Sequence, residues 1–435
     1  MKRSLLPFAS LIILTANISF AQHRTCGTPD LPIEYETWLA QFAAQERNSN
    51  PNVDVQTAYT IPVIVHIVNN GESVGTGTNI SQTQVTSQFT SLNKDFSLTN
   101  TDFASVCPAS FQSAASNLQI TFCKALRDPA GNALAEPGIE RINRNTAGFS
   151  APPYSMAYCD GTIKIQTIWN PRNYLNIWVL RLSGGILGYA TFPAGSTLTG
   201  LTSPFGNSTS DGVVIQYDAF GTTGTVSAPY NKGRTATHEI GHWMGLRHIW
   251  GDDSNIDGVC NGSDACSGSD FCNDTPNACD CHYGAPSFPQ LDMCSPSSPG
   301  TMYVNYMDYT DDASMVMFTA NQKTRTQTAM ANGTYRAPLA SSFVCSPLGV
   351  ASVTAGDKFK FYPNPTNGKL TVDVISMGSD LKVTIYNLVG EVVKEFKVEN
   401  TMKFDVDLSD KQNGMYFITL SSASEKITQK FTLTK

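Results

Sequence analysis

Residues 238–248 read HEIGHWMGLRH and carry three of the chain's six histidines. On a helix, His238 and His242 lie four residues apart and share a face one turn from each other, while Ile240, Trp243 and Met244 point the opposite way as a core-facing stripe. Gly245 is suited to the left-handed conformation that ends a helix, and the reversed chain can then return His248 to the first two histidines. Three neutral imidazoles leave one position of a tetrahedral zinc ion open to water, the arrangement of a catalytic rather than a structural site. Glu239, directly after the first ligand, is placed to take a proton from that water. His23, His66 and His282 fall outside this pattern and receive no role.

The chain has 435 residues, long enough for two or three domains. It opens with Lys2 and Arg3, an apolar run from Leu5 to Leu14, and small residues at Ser19 and Ala21, the pattern of a secretory signal peptide over 1–21. Pro7 and the shortness of that run argue against an anchor, and no later segment reaches the roughly 20 apolar residues that span a bilayer, so no transmembrane segment is expected. All eleven cysteines follow the leader, six of them between Cys260 and Cys294, which suits an oxidising compartment. An odd count leaves one thiol over. The net charge of −7, with no basic run interleaved with aromatics, argues against nucleic acid as a partner.

Composition changes near residue 346. Arginine, cysteine and tryptophan do not occur beyond it. There FKFYP, KLTVDVIS, LKVTIYNL, GEVVKEFKV, MKFDVDL, GMYFITLS and KITQKFTL alternate apolar and polar residues between turn signals such as PNPTNG and QNG, predicting a small all-β sandwich over 346–435. Upstream, Val85, Phe89, Leu92 and Phe96 follow helical spacing, and IPVIVHIV, LQITFCKA, LNIWVLRL and GVVIQY read as strands. An α+β catalytic domain is therefore expected over 56–345. The stretch from Asp252 to Pro299 is poor in apolar residues and needs disulfides or metal to hold it.

HEIGHWMGLRH and, further on, NYMDY at 305–309 together resemble the zinc signature and Met-turn of the metzincin metallopeptidases. LSGGILGYATFP, DGVVIQYDAFGT, GRTATHEIGHWMGL and NYMDYTDDASMVMFTANQ are similar to the pappalysin family, in particular its bacterial members, across roughly residues 60–345. The resemblance implies a secreted zinc endopeptidase acting on proteins or peptides, with His238, His242 and His248 as ligands and Glu239 as general base. It implies Met307 as an apolar floor below the metal and Tyr309 as a phenol that moves to the oxyanion. GGILGYATF would be the rim strand that pairs with an extended substrate. Some family members cleave before basic residues, and Asp311 and Asp312 are candidates for that pocket.

YPNPTNGKLTV, VTIYNLVGEVV, GMYFITL and KITQKFTLTK resemble the C-terminal sorting domain of type IX secretion cargo in Bacteroidetes. That implies secretion machinery as a partner, export through a periplasm, and release or display at the cell surface. A carbohydrate-binding or adhesive sandwich is the alternative for this domain. For the whole chain the alternative is a catalytically silent binding protein on the same fold, against which the presence of Glu239 weighs.

RTCGTPD, near the start of the mature chain, resembles the cysteine switch of animal matrix metalloproteinases. Cys26 in the fourth zinc position would expel water and keep a zymogen silent. Residues 22–55 would then be a propeptide, with Arg47 a cleavage point, and ten cysteines would remain for five bridges. The alternative pairs Cys26 with a distant cysteine such as Cys345. Two structural calcium sites compete in the acidic stretch. One is an EF-hand-like spacing of Asp253, Asn255, Asp257, Gly258, Asn261 and Asp264. The other, implied by the family, is at Asp274 and Thr275 and is preferred. A solvated Asx-turn loop is the metal-free alternative.

Overall fold

The computed structural model describes residues 24–29, 36, 39, 58–194, 206–251, 266–346 and 358–435, the last apart from 376, 378, 379, 389 and 423–425. The leader, most of the expected propeptide and the EF-hand-like spacing at 253–264 lie outside the described residues. The chain divides into two units, Met1–Pro347 and Leu348–Lys435.

The first unit is built on a six-stranded sheet. Its central strand β1 (Tyr59–Asn69) is mostly apolar and buried at every position but Thr60, as suits a strand covered on both faces. A helix, α1 (Gln82–Phe96), follows β1. Ser81 caps it by accepting from the Gln84 amide, and Val85, Phe89, Leu92 and Phe96 are buried as their spacing predicts. The remaining strands are β2 (Ile120–Lys124), β3 (Ile139–Asn143), β4 (Leu175–Leu180), β5 (Gly188–Ala190) and β6 (Val213–Gln216). The order runs β2-β1-β4-β6-β5. All these pairings are parallel except that of β5 with β6, and β3 joins β1 beyond β2 along the same edge.

The four strands expected from sequence are present; β3, IERIN, was not expected, because its charged and polar residues mask the alternation. The rim strand is shorter than GGILGYATF suggested, with ladder pairing confined to Gly188–Ala190.

The zinc-motif helix α2 (Arg234–Trp243) packs against α1, β5 and β6, and all ten of its residues are buried. A final helix, α3 (Ala320–Asn332), begins with a reciprocal capping box between Thr319 and Gln322. A buried ion pair fixes the end of α2. The Arg336 guanidinium meets both oxygens of Asp211 at 2.8 Å, donates to the Trp243 carbonyl at 2.9 Å, and stacks 3.6 Å over the Trp243 ring. Trp243 Nε1 in turn donates to Asp211.

The eleven cysteines do not form the five bridges expected. Cys123 pairs with Cys345, which removes that partner from Cys26, and Cys266 pairs with Cys294. Cys279 is also disulfide-bonded, whereas Cys26, Cys107, Cys159, Cys272 and Cys281 are free. Cys107 and Cys159 sit in apolar clusters as small hydrophobic side chains, a use that counting cysteines cannot detect.

The second unit has the two sheets its alternation predicts. One orders β10 (Val392–Glu399), β9 (Asp380–Asn387), β12 (Gly414–Ser421) and β13 (Lys426–Leu433); the other orders β11 (Lys403–Asp407), β8 (Lys369–Val374) and β7 (Phe359–Tyr362). All pairings are antiparallel. Inward residues such as Phe359, Val372, Val383, Ile385, Ile418 and Phe431 form its own core.

Removing Arg336 would strand Asp211 as an uncompensated buried charge. Arg336→Met should cost about 3–5 kcal/mol in denaturant unfolding of the precursor, and adding Asp211→Asn should recover part of it. A loss under about 1 kcal/mol would show that the pair behaves as a surface ion pair and does not clamp α2.

Candidate active site

His238 and His242 stand one turn apart on α2. The helix stops at Gly245, whose φ of +88° gives the left-handed turn read from the sequence, and the chain reverses to bring back His248. The Nε2 atoms converge: His242 lies 3.2 Å from His238 and 3.0 Å from His248. His238 Nδ1 donates to the Tyr306 carbonyl at 2.7 Å and His242 Nδ1 to the Leu246 carbonyl at 2.8 Å.

Those bonds put the ring protons of His238 and His242 on Nδ1 and turn their Nε2 lone pairs toward one another. Lone pairs packed this closely repel unless a cation lies among them, so the donor set fits zinc. Burial, then the neighbouring His242 and His248, hold His238 well below the usual imidazole pKa and keep it neutral.

Cys26 completes the set. Its Sγ and the three imidazoles offer ligand atoms all within 4.8 Å of one another, the one such His, Cys, Asp or Glu group among the described residues. The segment around Cys26 runs parallel to β5: Gly27 donates to the Gly188 carbonyl at 2.8 Å and Leu187 to the Thr25 carbonyl at 2.9 Å. Cys26 Sγ is 3.2 Å from Glu239 Oε2, and Thr28 Oγ1 donates to the same oxygen at 3.0 Å while accepting from the Ala190 amide. Burial pushes the Glu239 carboxyl up to about 7, with partial offset from Cys26 and Thr28, a value suited to a base working near neutrality.

Met307 is fully buried beneath the motif, and a Cβ on Gly241 would come 2.5 Å from its sulfur, so only glycine admits that contact. The Tyr309 ring lies 5.0 Å from His248 and 5.7 Å from His238, and Trp250 stacks flat on His248 at 4.3 Å. Sequence reading gave Trp250 no part.

The two acidic candidates for the specificity pocket differ in burial. Asp312 is fully buried and receives Arg24 at 2.5 Å, whereas Asp311 is partly exposed. Arg24 also donates to the Thr310 carbonyl and Thr235 and lies over the Tyr230 ring. The amides of Lys232 and Arg234 at the start of α2 hold the second oxygen of Asp312.

Asp95 is another residue missed in sequence. Buried on α1, it accepts from Thr237 on α2 at 2.8 Å and from Tyr306 in the Met-turn at 2.9 Å, joining the two segments that carry the site. Its only signal was a carboxylate beside an apolar helical stripe.

Of the calcium candidates, Asp274 accepts from Thr319 Oγ1 and the Asn321 amide at the start of α3, and Thr275 donates to Asp270 and the Cys272 carbonyl.

Two family profiles match the chain: Pregnancy-associated plasma protein-A, peptidase family M43, over residues 158–331, and Secretion system C-terminal sorting domain, over 360–434. An extracellular metalloprotease of Podospora anserina is 31% identical over 310 residues, which cover 69% of this chain and 86% of the relative. Among solved structures, Tannerella forsythia mature mirolysin in complex with a cleaved peptide is 41% identical, with a TM-score of 0.55 over 66% of this chain and 97% of that one. A promirolysin mutant from the same organism is 38% identical, with a TM-score of 0.58 over 74% and 98%. With matches over nearly the full length of both mirolysin chains, the protein belongs to the pappalysin family of metzincins as a metalloendopeptidase, and it ends in a type IX secretion sorting domain.

Proposed function

We propose that the chain is a zinc endopeptidase made as a latent precursor, exported through a periplasm, and directed by Asp312 to bonds that precede a basic residue. The observation that carries this reading is the convergence of three imidazole Nε2 atoms beside a buried carboxylate at the rim strand. Zinc held by His238, His242 and His248 would polarise the scissile carbonyl and acidify the attacking water. Glu239 accepts the proton of that water as its oxygen adds to the carbonyl carbon, then delivers the proton to the amine as the C–N bond breaks. Tyr309 donates to the oxyanion while Met307 fills the floor.

The latency reading rests on three contacts within five residues. Arg24 occupies the Asp312 pocket, Cys26 faces the metal ligands, and Thr28 occupies the base. Residues 22–55 are the proposed propeptide and 56–345 the catalytic domain. The region 346–435 is the proposed sorting domain, bringing secretion machinery as a partner; no helix among the described residues is long and apolar enough to cross a membrane. Calcium remains part of the proposal at Asp274 and Thr275. Its support is the neighbouring Asp270, a buried carboxylate that burial raises to about 7 and a bound cation would stabilise as the anion.

A peptide library incubated with the mature enzyme tests the reading. Cleavage before Arg or Lys is expected, a zinc-selective chelator should abolish it, and EGTA should lower the melting temperature. Cleavage indifferent to charge would remove the role of Asp312, and melting unmoved by EGTA would remove calcium.

Glu239→Ala should retain stoichiometric zinc yet lose peptide hydrolysis, because the ligands stay while the base goes. Turnover comparable to the parent would overturn the mechanism. For latency, Cys26→Ala should give a precursor that processes itself early, and peptide mapping should find Cys26 outside every disulfide. If the variant stays as latent as its parent, obstruction by the pro-segment, and not the thiol, keeps the enzyme silent.

A further inference from the structure

The sequence gives His282 no place in the motif, yet it lies against the Met-turn. Asp308, between Met307 and Tyr309, is fully buried. One of its oxygens, Oδ1, accepts the backbone N–H of Tyr309 at 2.7 Å and that of His282 at 2.8 Å. The other, Oδ2, meets His282 Nδ1 at 2.7 Å. On the far side of the ring, His282 Nε2 lies 3.2 Å from Thr301 Oγ1, whose own proton is directed to the Gln290 carbonyl at 3.1 Å.

These partners favour the charged ring. A carboxylate oxygen accepts only, so Nδ1 donates to Asp308, and the Gln290 carbonyl and the Thr301 hydroxyl oxygen leave an acceptor for a second ring proton on Nε2. A protonated ring beside a buried carboxylate offsets its charge.

We propose that His282 is a positioning residue for peptide hydrolysis: its charged ring holds Asp308, and Asp308 holds the main chain that aims Tyr309 at the oxyanion. The inference rests on the role proposed for Tyr309. It also gives the disulfide-closed segment from Cys266 to Cys294 a task, since His282 is the residue through which that segment grips the Met-turn.

The surrounding charges agree. Burial acts to lower the His282 pKa, but Asp308, with Asp292 and Asp280, together more than offset it, and the net shift is upward. Cys281 and Tyr283, the neighbours in sequence, are pushed up by burial and stay neutral. A raised pKa means that the grip is intact below the ordinary imidazole range and is lost as pH rises through the elevated value.

The test compares the mature enzyme with His282→Gln, Tyr309→Phe and the double variant, measuring kcat and KM on one peptide across pH. A histidine ring titration by NMR accompanies it. His282→Gln should lower kcat about tenfold with KM within about twofold, and should remove the alkaline fall of kcat that the parent shows as His282 loses its proton. The double variant should be no slower than Tyr309→Phe alone, because His282 acts through Tyr309.

Losses that add in the double variant, or a His282 ring that titrates below the usual imidazole value, would overturn the proposal. An unchanged rate for Tyr309→Phe would overturn the oxyanion role itself, and normal kcat for His282→Gln beside a slow Tyr309→Phe would overturn this inference alone. If His282→Gln does not fold, Asp308→Asn with the same NMR titration decides: the ring should then lose its upward shift, and a shift that persists counts against the coupling.

Discussion

Two hydrogen bonds from imidazole Nδ1 to main-chain carbonyls set the terms for the rest of the catalytic unit. His238 donates to Tyr306 and His242 to Leu246, and each bond fixes a tautomer and aims a lone pair. One carbonyl belongs to the Met-turn and the other to the segment leaving α2. Both segments must therefore hold their backbones in place before the ligands can converge. This is why so much buried polarity surrounds a site of only a few residues: Asp95 ties α1 to Thr237 and Tyr306, and Arg336 with Asp211 pins Trp243 at the end of α2. An unpaired buried charge is costly, so these networks admit few alternative arrangements.

The same logic separates what the sequence made legible from what it did not. Ligands and base were readable because a helix forces i and i+4 onto one face and glycine permits the reversal that returns His248. Strands β1, β2, β4 and β6 were readable because their runs are mostly apolar, with single polar residues such as Thr121 on β2 and Asn176 on β4 too few to hide the pattern. The support was not readable. Asp95, Asp211, Asp312 and Arg336 act through partners 20 to 288 residues away. No local period records such a pairing. Cys107 and Cys159 show the opposite failure: residues with a strong local expectation, bridging, stay free thiols packed in apolar clusters, Cys107 against the Met317 thioether at 3.5 Å.

In the proposed precursor the Arg24–Thr28 segment would act on the site as a ligand. With it in place the histidines converge, Glu239 lies beside them and Asp312 is paired with Arg24. Each of its contacts is modest alone, since a hydrogen bond to a charged group nets about 1.5–3 kcal/mol. Linked in one chain, however, Arg24, Cys26 and Thr28 bind as a single ligand at high effective concentration. Glu36 adds an anchor away from this stretch, meeting Arg247 at 2.8 Å and Arg325 at 2.6 Å. Arg247 directly precedes His248, so that anchor bears on the segment that supplies the third imidazole.

The proposed latency has a consequence for activation. Release would require the linked contacts to be lost together. One cut at Arg47 would leave Arg24–Thr28 and Glu36 on one fragment, held by their contacts but no longer tethered to the rest of the chain. Dissociation would then depend on whether the thiol can be displaced from the metal by water. A thiolate is a stronger zinc ligand than water, so in the proposed precursor displacement of Cys26 would be the step that frees the fourth metal position.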